Sequence, residues 1–179
     1  PVAMQEIDKA KSTNVVEEAK QLATAVMRFW EDTGKLPNDS GGSTDNVKFL
    51  YTGSNSDLTG WLTADTDNTS GDSWYDKISN AASIRGFLVV NDPDLNASTT
   101  DSYEGWKGPY VGTDEEDVAL DPWGHPYLIN VESTDDPSAS TAKAVFVLSA
   151  GPDGIIDTAR AQSPDGFTAG GDDIVVRVR

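Results

Sequence analysis

The chain has 179 residues, 37% of them hydrophobic and 24% charged, with a formal net charge of −17 from 30 Asp and Glu against 13 Lys and Arg. That length supports one domain with a real core and leaves little room for two, and the acidity makes phosphate backbones and anionic membrane surfaces poor partners while favouring cations, solubility or a basic partner. Cysteine is absent and His125 is the single histidine, which excludes disulfide staples, thiolate zinc sites, cysteine nucleophiles and multi-histidine metal sites.

The first predicted element is one long helix from Val2 to Thr33. Ile7, Val15, Ala19, Leu22, Val26, Phe29 and Trp30 recur at three- and four-residue steps, while Lys9, Lys11, Glu17, Glu18, Lys20, Arg28 and Glu31 fill the remaining face. Gly34 and then Pro37 stop it. At about 1.5 Å per residue the helix is roughly 45 Å long, so its N-terminal half, poor in apolar residues before Val15, is expected to protrude. The chain opens at Pro1 rather than Met, and it reads as a mature fragment or a trimmed piece of a longer protein. No stretch approaches the roughly 20 apolar residues that cross a bilayer, although that says little about the native protein.

Residues 37–73 are rich in Ser, Asp, Asn, Gly and Thr and read mostly as loop, interrupted by the apolar islands Val47–Tyr51 and Leu58–Leu62. A short helix is expected from Trp74, followed by the apolar run Phe87-Leu88-Val89-Val90, and then polar loop from Asn91 to Ser102. Three strands follow, Pro126–Val131, Ala142–Ser149 and Ile174–Val178, all rich in β-branched or aromatic residues. The order predicts a single α+β domain over residues 1–179, a long N-terminal α-helix packed on a small C-terminal antiparallel β-sheet with long loops.

The chemistry-bearing feature lies near the C-terminus. An apolar strand ends in Ser149-Ala150-Gly151-Pro152-Asp153-Gly154, a polar loop follows, and Gly170-Gly171-Asp172-Asp173 opens the last strand. Asp153, Asp172 and Asp173 can therefore meet at one end of a hairpin. Hard cations take several oxygen ligands at about 2.3–2.6 Å, so a Ca²⁺ here would draw further on backbone carbonyls between Leu148 and Ile156, Gly151 among them, and on Asp157. The same residues also suit an ordinary turn, because Asp-Gly and Gly-Gly tolerate positive φ. Spacing alone leaves both readings open, and the EF-hand pattern does not fit.

Other acidic groups read as solvated: Asp65-Thr66-Asp67-Asn68 with Asp72, and Asp114-Glu115-Glu116-Asp117. Asp121-Pro122-Trp123-Gly124-His125-Pro126-Tyr127 reads as a structural lock before a strand, with His125 a loop residue rather than a catalytic base. Five Trp and a candidate Ca²⁺ site open a second reading, an extracellular calcium-dependent carbohydrate-binding module. No carboxylate pair in the sequence recommends glycoside hydrolysis, and no enzyme is expected.

Four segments together carry a family likeness: Pro1-Val2 leading into the charged helix; the helix end Ala25–Pro37, closing on Asp32-Thr33-Gly34-Lys35-Leu36-Pro37; the pair Gly105-Trp106-Lys107-Gly108-Pro109-Tyr110 and Asp121–Tyr127; and Ser149–Gly154 through Asp172-Asp173-Ile174. In these the chain resembles the major pseudopilin of bacterial type II secretion systems and, more broadly, the type IV pilin superfamily. The resemblance implies a long helix on a small sheet and a structural Ca²⁺ at Asp153, Asp172 and Asp173. It also implies a hydrophobic segment before Pro1 held in the inner membrane, and helical stacking of subunits into a periplasmic pseudopilus with other pseudopilin subunits and secretion or pilus assembly proteins. Nucleic acid is not an expected partner. The stretch from Asn38 to Ser102 and the loop from Asp153 to Asp172 are longer than in that family.

Overall fold

The computed structural model describes residues 2–39, 47–70, 72–93, 95, 102–112, 120–134 and 138–179. Helix α1 spans Val2–Thr33, as the apolar spacing predicts. Its buried residues are Val15, Ala19, Leu22, Ala23, Ala25, Val26 and Phe29, all in the C-terminal part. Val2, Met4 and Ile7 are 69%, 71% and 55% exposed, so the N-terminal part stands free of the core. Gly34, at φ +69°, ends the helix in the left-handed region, and its N–H returns to Trp30 O at 2.8 Å.

The fold is α+β, but the sheet is neither purely C-terminal nor purely antiparallel. Its strands are β1 (Phe49–Tyr51), β2 (Ala81–Ser83), β3 (Leu128–Asn130), β4 (Phe146–Ser149) and β5 (Ile174–Arg177), in the order β2-β1-β3-β4-β5. β1 runs parallel to β2, and the other pairs are antiparallel. Two strands thus come from the segment that reads as loop and short helix. Three-residue strands are too short to show an alternation, which is why they escape a periodicity reading. The short helix expected from Trp74 resolves into a 3₁₀ turn at Tyr75–Asn80, then β2, then a π-type turn at Arg85–Val89.

The register explains the core. Leu50, Ile129, Val147 and Val176 lie opposite one another across four strands and face α1, where they pack with Val15, Leu22, Val26 and Phe29. The intervening residues Phe49, Tyr51, Leu128, Phe146 and Leu148 point to the other side and pack with Leu58, Leu62, Trp74 and Ile156. A sheet covered on both faces needs apolar residues at every position, so its strands read as continuous runs rather than alternating ones.

The second cover includes helix α2 (Asn55–Trp61), which lies in the segment expected to be loop. Ser54 Oγ accepts from Asp57 N at 3.1 Å, and Asp57 Oδ2 accepts from Ser54 N at 2.8 Å, a reciprocal capping box. Ser54→Ala is expected to cost about 1 kcal/mol of folding stability. Urea denaturation measures it, and an unchanged midpoint would show that the cap is dispensable.

Candidate functional site

The acidic loops at the end of β4 and the start of β5 are positioned by glycine. Gly151 lies at φ +66° and Gly154 at φ +70°, where other residues are strained. Space forbids side chains as well. A Cβ on Gly151 would meet Asp172 O at 2.6 Å, one on Gly154 would meet His125 Cε1 at 2.6 Å, and one on Gly171 would collide with the Asp157 carboxylate. These close approaches set Asp172 against the Gly151 turn and Asp157 against Gly170 and Gly171, beside Asp173.

Within that region the carboxylates fall into two neighbouring pairs. Asp153 Oδ1 accepts from Ile155 N at 2.8 Å, an Asx-type turn. Burial raises the Asp172 carboxyl above its ordinary range, and the charge of Asp153 beside it adds to the rise. Asp173 Oδ2 accepts from Asp157 N at 3.0 Å and from Thr158 N at 2.7 Å. Burial nevertheless pushes its pKa up to about 6, with the nearby Asp157 charge acting in the same direction. Its other oxygen, Oδ1, is buried without a hydrogen-bond partner among the described residues. Asp157 Oδ1 accepts from Asn68 Nδ2 at 2.7 Å.

Leu148 is placed differently. It lies inside β4 between Leu128 and Val175, fully buried, and its backbone belongs to the ladder. Gly151, in contrast, sits against Asp172. Among the described residues no three Asp, Glu or His side chains converge into a preformed cage. The donor types suit a hard cation chemically: oxygen-only ligands, an orphaned buried carboxylate oxygen on Asp173, and the like charges of Asp153 and Asp172 held close. Asp153, Asp172 and Asp173 would have to draw together from these two pairs to hold it, with Asp157 and the Gly151 backbone adjoining.

The rest of the neighbourhood is structural. Asp121 is 3% exposed and accepts from Trp123 N, His125 N and Ser149 Oγ at 3.0, 2.9 and 2.7 Å. It thereby closes the turn that the sequence marks as a lock. Ser149 donates to Asp121 rather than to His125, so these residues do not form the nucleophile–base relay of a catalytic triad. His125 stacks on Trp61 with ring centroids 5.1 Å apart, and Trp61 Nε1 donates to Gly154 O at 2.9 Å.

Two features escape the sequence reading. Asp67, expected in a solvated loop, is 8% exposed and accepts from Thr69 N, Thr69 Oγ1, Ser73 Oγ and Tyr75 N. It organises the entry to the 3₁₀ turn, and the interleaved Thr and Ser at positions 69 and 73 were its signal. Arg160 is fully buried. Its guanidinium bridges Glu132 and, at 2.5 Å, Asp72, and nothing in the local pattern marks it. The Asp114–Asp117 run lies outside the described residues.

The two aromatic linkers pack against the helix. Asp32, in the last turn of α1, accepts from Lys107 Nζ and Tyr110 OH, each at 3.0 Å, and these bonds hold its carboxyl below the usual range. Trp106 Nε1 donates to Phe87 O at 2.7 Å. Trp74 Nε1 donates to Thr158 O at 2.9 Å. Trp74 is buried, and Trp30, Trp61, Trp106 and Trp123 are partly buried. Comparison with known protein families, with curated proteins and with solved structures found no match to this chain.

Proposed function

We propose that the chain is a structural subunit of the pseudopilin or type IV pilin kind, whose role is assembly rather than catalysis. The observation that carries this reading is the unequal burial of α1. Its C-terminal part is built into the core, whereas Val2, Met4 and Ile7 are left exposed on a continuous helix. Exposed apolar residues on a protruding helix suit a segment that is covered by other copies or continues into a hydrophobic stretch. Such a subunit is anchored in the bacterial inner membrane before assembly, with this domain in the periplasm. It stacks with other subunits into a pseudopilus or related filament, aided by secretion or pilus assembly proteins.

The acidic loop then takes a structural Ca²⁺ through Asp153, Asp172 and Asp173, holding the turn in one shape for packing. The orphaned Asp173 oxygen and the close Asp153–Asp172 approach support this assignment. A calcium-dependent carbohydrate module needs coplanar exposed aromatic faces. The inward hydrogen bonds of Trp61, Trp74 and Trp106 work against it.

The pilin-like reading is tested on the gene. It is expected to encode a short basic leader followed by about twenty apolar residues directly before Pro1, enough to span a bilayer. A reading frame that starts at this helix overturns the proposal.

A further inference from the structure

β5 ends the sheet order, so among the described residues its outer side carries no strand. Val178 N donates to Val145 O at 2.8 Å, and the register pairs Val176 with Val147 and Ile174 with Ser149. By the alternation of an antiparallel ladder, positions 174, 176 and 178 bond inward to β4. The N–H and C=O groups of Val175 and Arg177 therefore turn to the open side.

A groove of about 520 Å³ runs along this edge, lined by Lys20, Thr24, Met27, Arg28 and Glu31 of α1 and by residues 176–178. Met27 is 36% exposed there. Arg28 makes no ion pair or hydrogen bond among the described residues. Among the described residues the Lys20 ammonium pairs with the exposed Glu17 alone, at 2.9 Å. Arg177 flanks the same edge, its guanidinium 5.6 Å from the Phe167 ring. Lys20 and Arg28 thus face one groove acid, Glu31, while Arg177 carries its charge on the other face of the same edge, on a chain whose formal net charge is −17.

We propose that the β5 edge receives an extended, acidic segment of a partner protein as an added strand, main chain to main chain at Val175 and Arg177, with carboxylates of one face on Lys20 and Arg28 and of the other on Arg177. Strand addition supplies affinity through backbone bonds, and alternate side chains supply specificity. Cations at an edge also discourage apolar strands from pairing there, so the same residues select and protect. A second copy of this chain is the poorer occupant of this edge, because pairing β5 with β5 would set like charges such as Arg177 against their own copies. The inference stands apart from the pilin-like reading and survives its failure.

The test uses this domain with a capped hexapeptide Glu-Glu-Val-Glu-Glu-Val, which carries carboxylates on both faces of a strand, and its Lys-for-Glu counterpart, read by residue-resolved amide exchange. The Glu peptide is expected to slow exchange at Val175 and Arg177, and the Lys peptide is not. Arg28→Glu with Arg177→Glu should weaken binding about tenfold or more, as charge reversal does at an electrostatic contact. Val175→Pro deletes an outward N–H without touching the β4 ladder and should abolish binding. Where Val175→Pro fails to fold, the charge-reversal variant decides. Equal binding of both peptides, no protection at β5, or protection that grows with protein concentration and needs no peptide would overturn the proposal, the last by naming a second copy as occupant.

Discussion

Adding Ca²⁺ to the metal-stripped domain is expected to raise its thermal midpoint by roughly 5–10 °C at about 100-fold over the dissociation constant. Selective binding to the native state then adds about 2.7 kcal/mol, and a domain of this size gains about 2–4 °C per kcal/mol. Asp172→Asn discriminates between a metal site and a solvated turn. Without calcium it should stabilise the fold, because it removes the like charge beside Asp153 that raises the Asp172 carboxyl. With calcium it should lose most of the added stability, because a ligand is gone. Asp173→Asn should also lose the response while sparing the shape of a side chain that takes two backbone amides. Scanning calorimetry reads each shift, and a midpoint indifferent to millimolar Ca²⁺ would reduce the loop to a turn.

Arg160→Met is the most damaging single change outside the hydrophobic core. It removes a fully buried cation that joins Glu132, at the end of β3, to Asp72, on the far cover of the sheet. Breaking a buried pair by deleting one partner costs about 3–5 kcal/mol. The lower end applies, since the Glu132 and Asp72 side chains are 27% and 41% exposed and can hydrate, and since Glu132 keeps Lys48 at 3.1 Å. Arg160→Lys should recover little, because one ammonium cannot serve two carboxylates in fixed directions.

The same cluster carries an acid dependence. Burial alone would raise the Glu132 carboxyl, but the Arg160 and Lys48 contacts outweigh it and hold the group below the ordinary glutamate value of 4.5. A carboxyl depressed in the folded state contributes stability that is fully present above its unfolded value and is lost as the pH falls through its folded value. The wild type should therefore lose stability below about pH 4.5 more steeply than Arg160→Met. Denaturant midpoints between pH 3 and 7 compare the two, and parallel profiles would remove Glu132 from the account.

What was legible in the sequence follows from the range over which each signal acts. The helix announces itself because Val15, Ala19, Leu22, Val26 and Phe29 repeat locally, and β3, β4 and β5 because each is a β-rich apolar run. The acidic loop was legible because glycine and aspartate cluster at both of its ends. β1 and β2 were not, since three residues show no period, and their pairing joins Phe49 to Ala81 across an intervening helix. The Asp67 hydrogen bonds and the Arg160 bridge escaped for a related reason. A charged residue reads as exposed until its partners, at positions such as Glu132 and Asp72, are folded onto it.

The place of β1 in the sheet bears on how the chain reaches its native state. It is made by residues 49–51, yet it lies between β2 and β3, with its antiparallel neighbour at residues 128–130. Until that pairing forms, β3 has one bare edge, and an apolar run with a bare edge is an invitation to cross-pairing between chains. The closure joins distant parts of the sequence and is intrinsically slow. The C-terminal strands are therefore not an independent module. They share an edge with a segment about eighty residues earlier, and on this topology that long-range pairing is expected to be among the slower contacts to form.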